Sequence, residues 1–175
     1  MRHISILALI LFISISANAA VIIGYNGIIG PLETPELAPF QTASISVATD
    51  GFLNTQSYYV LGVPVGDPGT LYGQPLPGDP HVLIYPWEME GMPFPGFSSY
   101  VTFSYDGLSP LPGLTLLVDN ITFRCDGLGN VNLQLLETQD FADWVTLDSQ
   151  AIRQIPEPGT IALLGLGMML LKRRR

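Results

Sequence analysis

The chain has 175 residues and a formal net charge of −8, but the charge is unevenly placed: five of the seven basic residues, Arg2 and Lys172 to Arg175, stand at the two termini. Residues 20–153 keep only Arg124 and Arg153 against fourteen carboxylates, a net charge near −12, and so acidic a surface repels phosphate backbones and excludes direct nucleic-acid binding. The single cysteine, Cys125, excludes an intramolecular disulfide and a thiolate metal cluster.

Met1-Arg2-His3 is a short basic head, and Ile4 to Ile15 is an apolar run broken only by Ser5 and Ser14. Ala17-Asn18-Ala19 follows as an A-x-A cleavage site, the pattern of a secretory signal peptide. Residues 1–19 are therefore expected to be a signal helix removed on export. Residues 20–153 make one domain, long enough to bury a core, and residues 154–175 form a tail of different character.

Val21 to Ile29 is β-branched around Asn26-Gly27, and reads either as a hairpin or as one irregular edge strand. Pro31 to Pro39 is a proline-punctuated connection. Thr42 to Thr49 alternates, with Ala43, Ile45 and Val47 on one face and Ser44, Ser46 and Ala48 on the other, which predicts a half-buried strand. Asp50-Gly51 is a turn, and Ser57 to Val63 an aromatic strand. Pro64 to Phe97 holds eight prolines and six glycines in thirty-four residues, interrupted by the strand-like run His81 to Tyr85. It reads as a long loop wrapping one end or edge of a sheet, with Tyr85, Trp87, Phe94 and Phe97 capping the core; a binding loop is the sharper alternative.

From Ser98 the alternation is regular. Ser99 to Tyr105 ends at an Asp106-Gly107 turn. Leu114 to Val118 and Ile121 to Cys125 flank Asp119-Asn120, where the phase shifts by one and a β-bulge is expected. Cys125 follows Ile121 and Phe123 at a period of two, on the buried face. Asp126 to Asn130 is a hairpin loop, Val131, Leu133 and Leu135 face inward, and Trp144 to Ile152 gives a last strand. Helical periodicity is absent between the two ends. Seven to nine short strands predict an all-β fold, an antiparallel β-sandwich.

For chemistry the inventory is thin. Outside residues 1–19 the only histidine is His81, beside Asp79, and no G-x-S-x-G elbow accompanies it. A histidine zinc site fails on ligand count. Paired carboxylates for glycoside hydrolysis are present in number, but the domain is short for such a cleft. Asp126-Gly127 to Asn130 and Asp140 to Asp143 offer oxygen ligands near turns without matching a calcium loop, and turn chemistry accounts for both. No metal, cofactor or catalytic activity is therefore expected. Carbohydrate binding is the best specific candidate, through Tyr85, Trp87 and Trp144. Trp144 is opposite in phase to Val145 and Leu147 and is expected partly outward, although packing competes for every tryptophan.

The tail, Ile155 to Arg175, has three contiguous parts. Pro156-Glu157-Pro158 is a stiff extended break, Ile161 to Leu171 is apolar and uncharged, and Lys172, Arg173, Arg174 and Arg175 form a cationic stop. It resembles the PEP-CTERM signal of exported bacterial proteins. The resemblance implies recognition by an exosortase, a membrane-embedded transpeptidase-like enzyme that cuts near the motif and passes the protein to the envelope or to an exopolysaccharide matrix. It also implies that the tail holds the membrane before processing. One departure is length: eleven uncharged residues rise only about 16 Å as a helix against a hydrocarbon core of roughly 30 Å. With Gly159 and Thr160 the rise is about 20 Å, so spanning needs snorkelling arginines or a thinned bilayer.

The run Ile121 to Thr138, followed by this tail, also resembles the closing hairpin of small secreted planctomycete-type PEP-CTERM proteins, whose single domain is similar to Ig-like or cohesin-like sandwiches. That likeness supplies a fold and an address, not an activity. The combined expectation is an antiparallel sandwich flanked by a signal helix and a short C-terminal hydrophobic helix. It would be a secreted envelope or extracellular-matrix protein with a structural or adhesive role, its partners an exosortase-type enzyme, the membrane and exopolysaccharide. The alternative is a carbohydrate-binding module for exopolysaccharide.

Overall fold

The computed structural model describes residues 21–29, 34–85 and 94–156, together with 163, 166 and 169. The described strands, in chain order, are β1 (Val21–Tyr25), β2 (Ile28–Ile29), β3 (Glu36–Leu37), β4 (Thr42–Thr49), β5 (Ser57–Pro64), β6 (Gly69–Pro77), β7 (Val82–Tyr85), β8 (Phe97–Tyr105), β9 (Leu116–Cys125), β10 (Gly129–Thr138) and β11 (Val145–Gln154). They form two sheets, one in the order β2-β1-β4-β9-β6 and the other β3-β11-β10-β5-β8-β7. Every pairing is antiparallel except the short parallel contact of β11 with β3. The sandwich is thus mixed at one edge rather than wholly antiparallel.

The core is the set of alternate side chains that the two sheets turn toward each other. Val21, Ile23, Ile45, Val47, Leu71, Ile121 and Phe123 come from the first sheet, and Tyr59, Leu61, Phe103, Tyr105, Leu133, Leu135 and Ile152 from the second, all nearly or fully buried. Burying a side chain of this size removes it from water at a gain of about 1.5–3 kcal/mol, which is what orients the two sheets. Cys125 is fully buried on the same face, and burial pushes its thiol above the usual range, as for a small inert hydrophobe. Polar links join the sheets at both sides. The Ile23 N–H donates to Asp148 Oδ2 at 2.8 Å and the Leu71 N–H to Ser99 Oγ at 2.9 Å.

Four strand assignments differ from the sequence reading. β9 begins at Leu116, and Leu114, expected to lead it, is exposed with φ at 63°. The Pro/Gly-rich stretch contains β6, which pairs with β9 from Gly69↔Cys125 to Pro77↔Val118. Pro75 and Pro77 are tolerated because β6 is an edge strand, where a missing N–H breaks no ladder. The connection Pro31 to Pro39 holds β3, the parallel partner of Arg153 and Gln154. The last strand begins at Val145 rather than Trp144 and runs two residues past Ile152. Other features agree. Asn26-Gly27 turns the β1–β2 hairpin with both residues at positive φ. At Asp119-Asn120 two residues of β9 face Ser46 alone, the expected bulge, with Asn120 at φ 60° and its Nδ2 donating to the Gln74 carbonyl at 2.7 Å. The two expected flanking helices lie outside the described residues, save Leu163, Leu166 and Met169, which are exposed. Among the described residues no helix is long and apolar enough to cross a membrane.

Tyr105 shows how the core holds a loop. Its ring is fully buried, and its hydroxyl donates to the Ser109 carbonyl and reaches the Leu53 carbonyl at 3.5 Å. Tyr105→Phe keeps the ring and removes the donor, so it is expected to cost about 1 kcal/mol, read as a lower urea midpoint at unchanged m value.

Candidate functional site

The strand that delivers the tail is built into the core. Ile152 is fully buried, and Gln154 is buried with its Nε2 donating to the Pro68 carbonyl at 2.6 Å. On the other side β3 takes over the pairing: the Arg153 N–H donates to the Pro35 carbonyl at 2.8 Å and the Ile155 N–H to the Leu37 carbonyl at 2.9 Å. Arg153 also places Nη1 3.6 Å from Glu36 Oε1. Pro156, the next residue, is exposed and has no N–H with which to continue. Pairing therefore stops at the first residue of the proline-bounded motif, with no spacer between body and motif. The remaining sorting residues, Glu157, Pro158 and Lys172 to Arg175, and the cleavage residues Ala17 and Ala19, lie outside the described residues.

Of the three aromatic candidates for sugar contact, Trp87 also lies outside them, and the other two share one surface, the outer face of the six-stranded sheet. Tyr85 is half-buried on the edge strand β7, its hydroxyl 3.0 Å from Ser104 Oγ. Trp144 is half-buried, packed at right angles to Phe94 with ring centroids 4.8 Å apart. Phe94 also meets Phe97 and Tyr100, and Phe141 meets both Trp144 and Tyr58. These rings make a belt across the outside of the sheet, and Val60, outward-facing at its centre, is only 1% exposed. The belt depends on Gly62, because a Cβ there would stand 2.4 Å from the Phe97 ring. Sequence periodicity placed Trp144 but not the belt, since its members come from three separated segments, Tyr58, Phe94 to Tyr100 and Phe141 to Trp144. Tyr85, Phe94 and Phe97, expected to cap the core, lie on the outer face instead. Trp144 is thus both partly outward and engaged in packing.

The acidic turns are internally satisfied. Asp126 accepts from Arg124 Nε at 2.6 Å and from the Thr70 hydroxyl, and the Arg124 guanidinium lies 5.8 Å from the centre of the Tyr72 ring. Asp140 accepts the N–H groups of Ala142 and Asp143 at 3.0 and 3.3 Å, which holds its carboxyl below the usual range. The Asp140 contacts are turn chemistry, whereas Asp126 ties its loop to β6 through Thr70. Among the described residues no three His, Cys, Asp or Glu side chains are gathered as metal ligands.

His81 is tied into the fold. Its Nδ1 lies 3.0 Å from Asp106 Oδ2, its N–H donates to Asp79 Oδ1 at 2.9 Å, and its carbonyl accepts from the Asp106 N–H at 3.1 Å. The hydrogen bond to Asp106 raises the imidazole above its ordinary 6.5, with partial burial opposing and the two carboxylates adding. The Leu108 N–H and then His81 lower Asp106. Because folding raises the histidine, its stabilisation is complete below the unfolded value and is lost as pH climbs through the folded one. The melting temperature is therefore expected to fall as pH rises past the ordinary histidine value of 6.5, and Asp106→Asn is expected to flatten that slope.

Together these features define a class: a β-sandwich whose final strand is continuous with a C-terminal sorting tail. Residues 154–175 match the PEP-CTERM protein-sorting motif, so the chain carries a PEP-CTERM signal and is an exosortase substrate, exported toward the cell envelope. No curated sequence relative matches it. Among solved structures, the cohesin module of a family 33 glycoside hydrolase from Clostridium perfringens ATCC13124 is similar over 79% of this chain and 99% of that one, at TM-score 0.48 and 9% identity. A chain of the Coh-OlpA-Doc918 cohesin–dockerin complex from Clostridium thermocellum ATTC 27405 is similar over 78% and 99%, at TM-score 0.46 and 10% identity. Likenesses at this level say nothing of what the chain binds.

Proposed function

We propose that this protein is a non-catalytic structural or adhesive component of the cell envelope or extracellular polysaccharide matrix, delivered by a signal peptide and processed through its PEP-CTERM tail. The observation that carries the reading is the junction at Gln154 to Pro156. A body that ends in a core strand and passes without a spacer into the sorting motif is built to be fastened by its C-terminus. In this reading the apolar run holds the unprocessed tail in the membrane, the arginines set its orientation, and Pro156-Glu157-Pro158 offers an extended strip to the enzyme.

The test is the intact mass of the protein from its native host, in medium and envelope fractions. The expected species begins at Ala20 and ends near Pro158, with or without an added group. A mass that retains Leu171 and Arg175 in every fraction would overturn the processing part of the reading.

A carbohydrate-binding role is the second reading, favoured by the aromatic belt and by Tyr85 on the same outer face. Rings exposed on a flat sheet can stack against sugar faces. On a glycan array the full body is expected to bind exopolysaccharide fragments, with Trp144→Ala or Trp87→Ala reducing the signal about tenfold, a loss of about 1.4 kcal/mol. Unchanged binding by both variants would remove those residues from the site.

A further inference from the structure

The body has two ends, and they differ. The end from which the tail leaves is formed by Phe40, the β5–β6 turn and the β9–β10 loop. It is knit together by hydrogen bonds from Phe40 N–H to the Cys125 carbonyl at 2.7 Å and from Asp126 N–H to the Pro68 carbonyl at 3.0 Å. The Asn132 N–H donates to Asp67 Oδ2 at 2.9 Å. From it project Phe40, Val65 and Leu128, which are 75%, 69% and 62% exposed.

Both arginines of residues 20–153, Arg124 and Arg153, stand at this end beside Glu36, Asp67 and Asp126, leaving it close to neutral. The far end carries Asp50, Asp79, Asp106, Asp140 and Asp143 with no arginine. Apolar loop residues occur there too, Leu108 at 80% exposure among them, so apolarity alone does not choose between the ends. Charge and tail position do.

From Ile155, the last residue bonded to β3, to Ile161, the first of the apolar run, the chain spans at most about 20 Å. A tail held in a bilayer must therefore keep this end of the sandwich at the membrane surface. We infer that the Phe40, Val65 and Leu128 end is a membrane-facing surface that rests in the lipid interface until the tail is cut. The near-neutral end meets anionic headgroups with little repulsion, while the acidic end is directed outward, since like charges are repelled by such a surface. The inference rests on the sorting reading, in which the tail occupies the membrane.

The test uses the full chain in phosphatidylethanolamine and phosphatidylglycerol vesicles, with an environment-sensitive fluorophore on one introduced cysteine at a time. The positions are Leu128→Cys and Val65→Cys at the near end, Leu108→Cys at the far end and Leu166→Cys in the tail; buried Cys125 is shielded from the label. The expected result is blue-shifted emission, quenched by headgroup-nitroxide lipid, at residues 65 and 128, deeper quenching at 166 and aqueous emission at 108. Quenching at 166 with aqueous emission at 65 and 128 would overturn the inference and leave the tail in the membrane. Aqueous emission at 166 as well would overturn the membrane-held tail and this inference with it.

Discussion

Much of this structure depends on the last strand. β11 is paired with β10 over most of its length and with β3 at its end, and Ile152 sits in the core between those contacts. Without the Ile155 bond to Leu37, the sorting motif would begin on a loose segment of undefined reach. With it, the motif starts at a fixed point on a rigid surface. The proline that opens the motif also ends the pairing, so one residue serves both the fold and the signal.

The charge pattern follows a related logic. A domain this acidic is repelled by phosphate-rich partners, yet in the proposed route its tail is first held in a membrane. Both arginines of the domain are placed near the tail, each beside a carboxylate, Arg124 with Asp126 and Arg153 with Glu36. Surface pairs of this kind contribute little to stability. Their larger effect is on the field at that end of the molecule.

The sandwich and its core were legible in the sequence wherever alternation was clean. Ile45 and Val47, Phe103 and Tyr105, and Ile121, Phe123 and Cys125 all face inward as their period of two predicts. The bulge at Asp119-Asn120 was legible as a slip in that phase. β6 was not, because Pro75, Pro77 and Gly73 carry the signature of a loop; an edge position, which only the topology reveals, makes them compatible with a strand. The two residues of β3 were equally silent, since a parallel contact so short leaves no periodicity. The aromatic belt was hidden for another reason: Tyr58, Phe94, Tyr100, Phe141 and Trp144 meet only after three separated segments are brought to one face. The tail was legible from chemistry alone, as a rigid break, an apolar run and a cationic stop.

The placement of β11 also determines how the protein bears load. A pull on the C-terminus of β11 acts along the strand axis, parallel to the sheet, so the ladder from Gly129↔Gln154 to Glu137↔Val145 is strained as a set. Bonds loaded together must fail together, whereas a strand peeled from its end loses them one at a time. A filament or surface layer tethered through this terminus would transmit tension along the whole β10–β11 ladder at once.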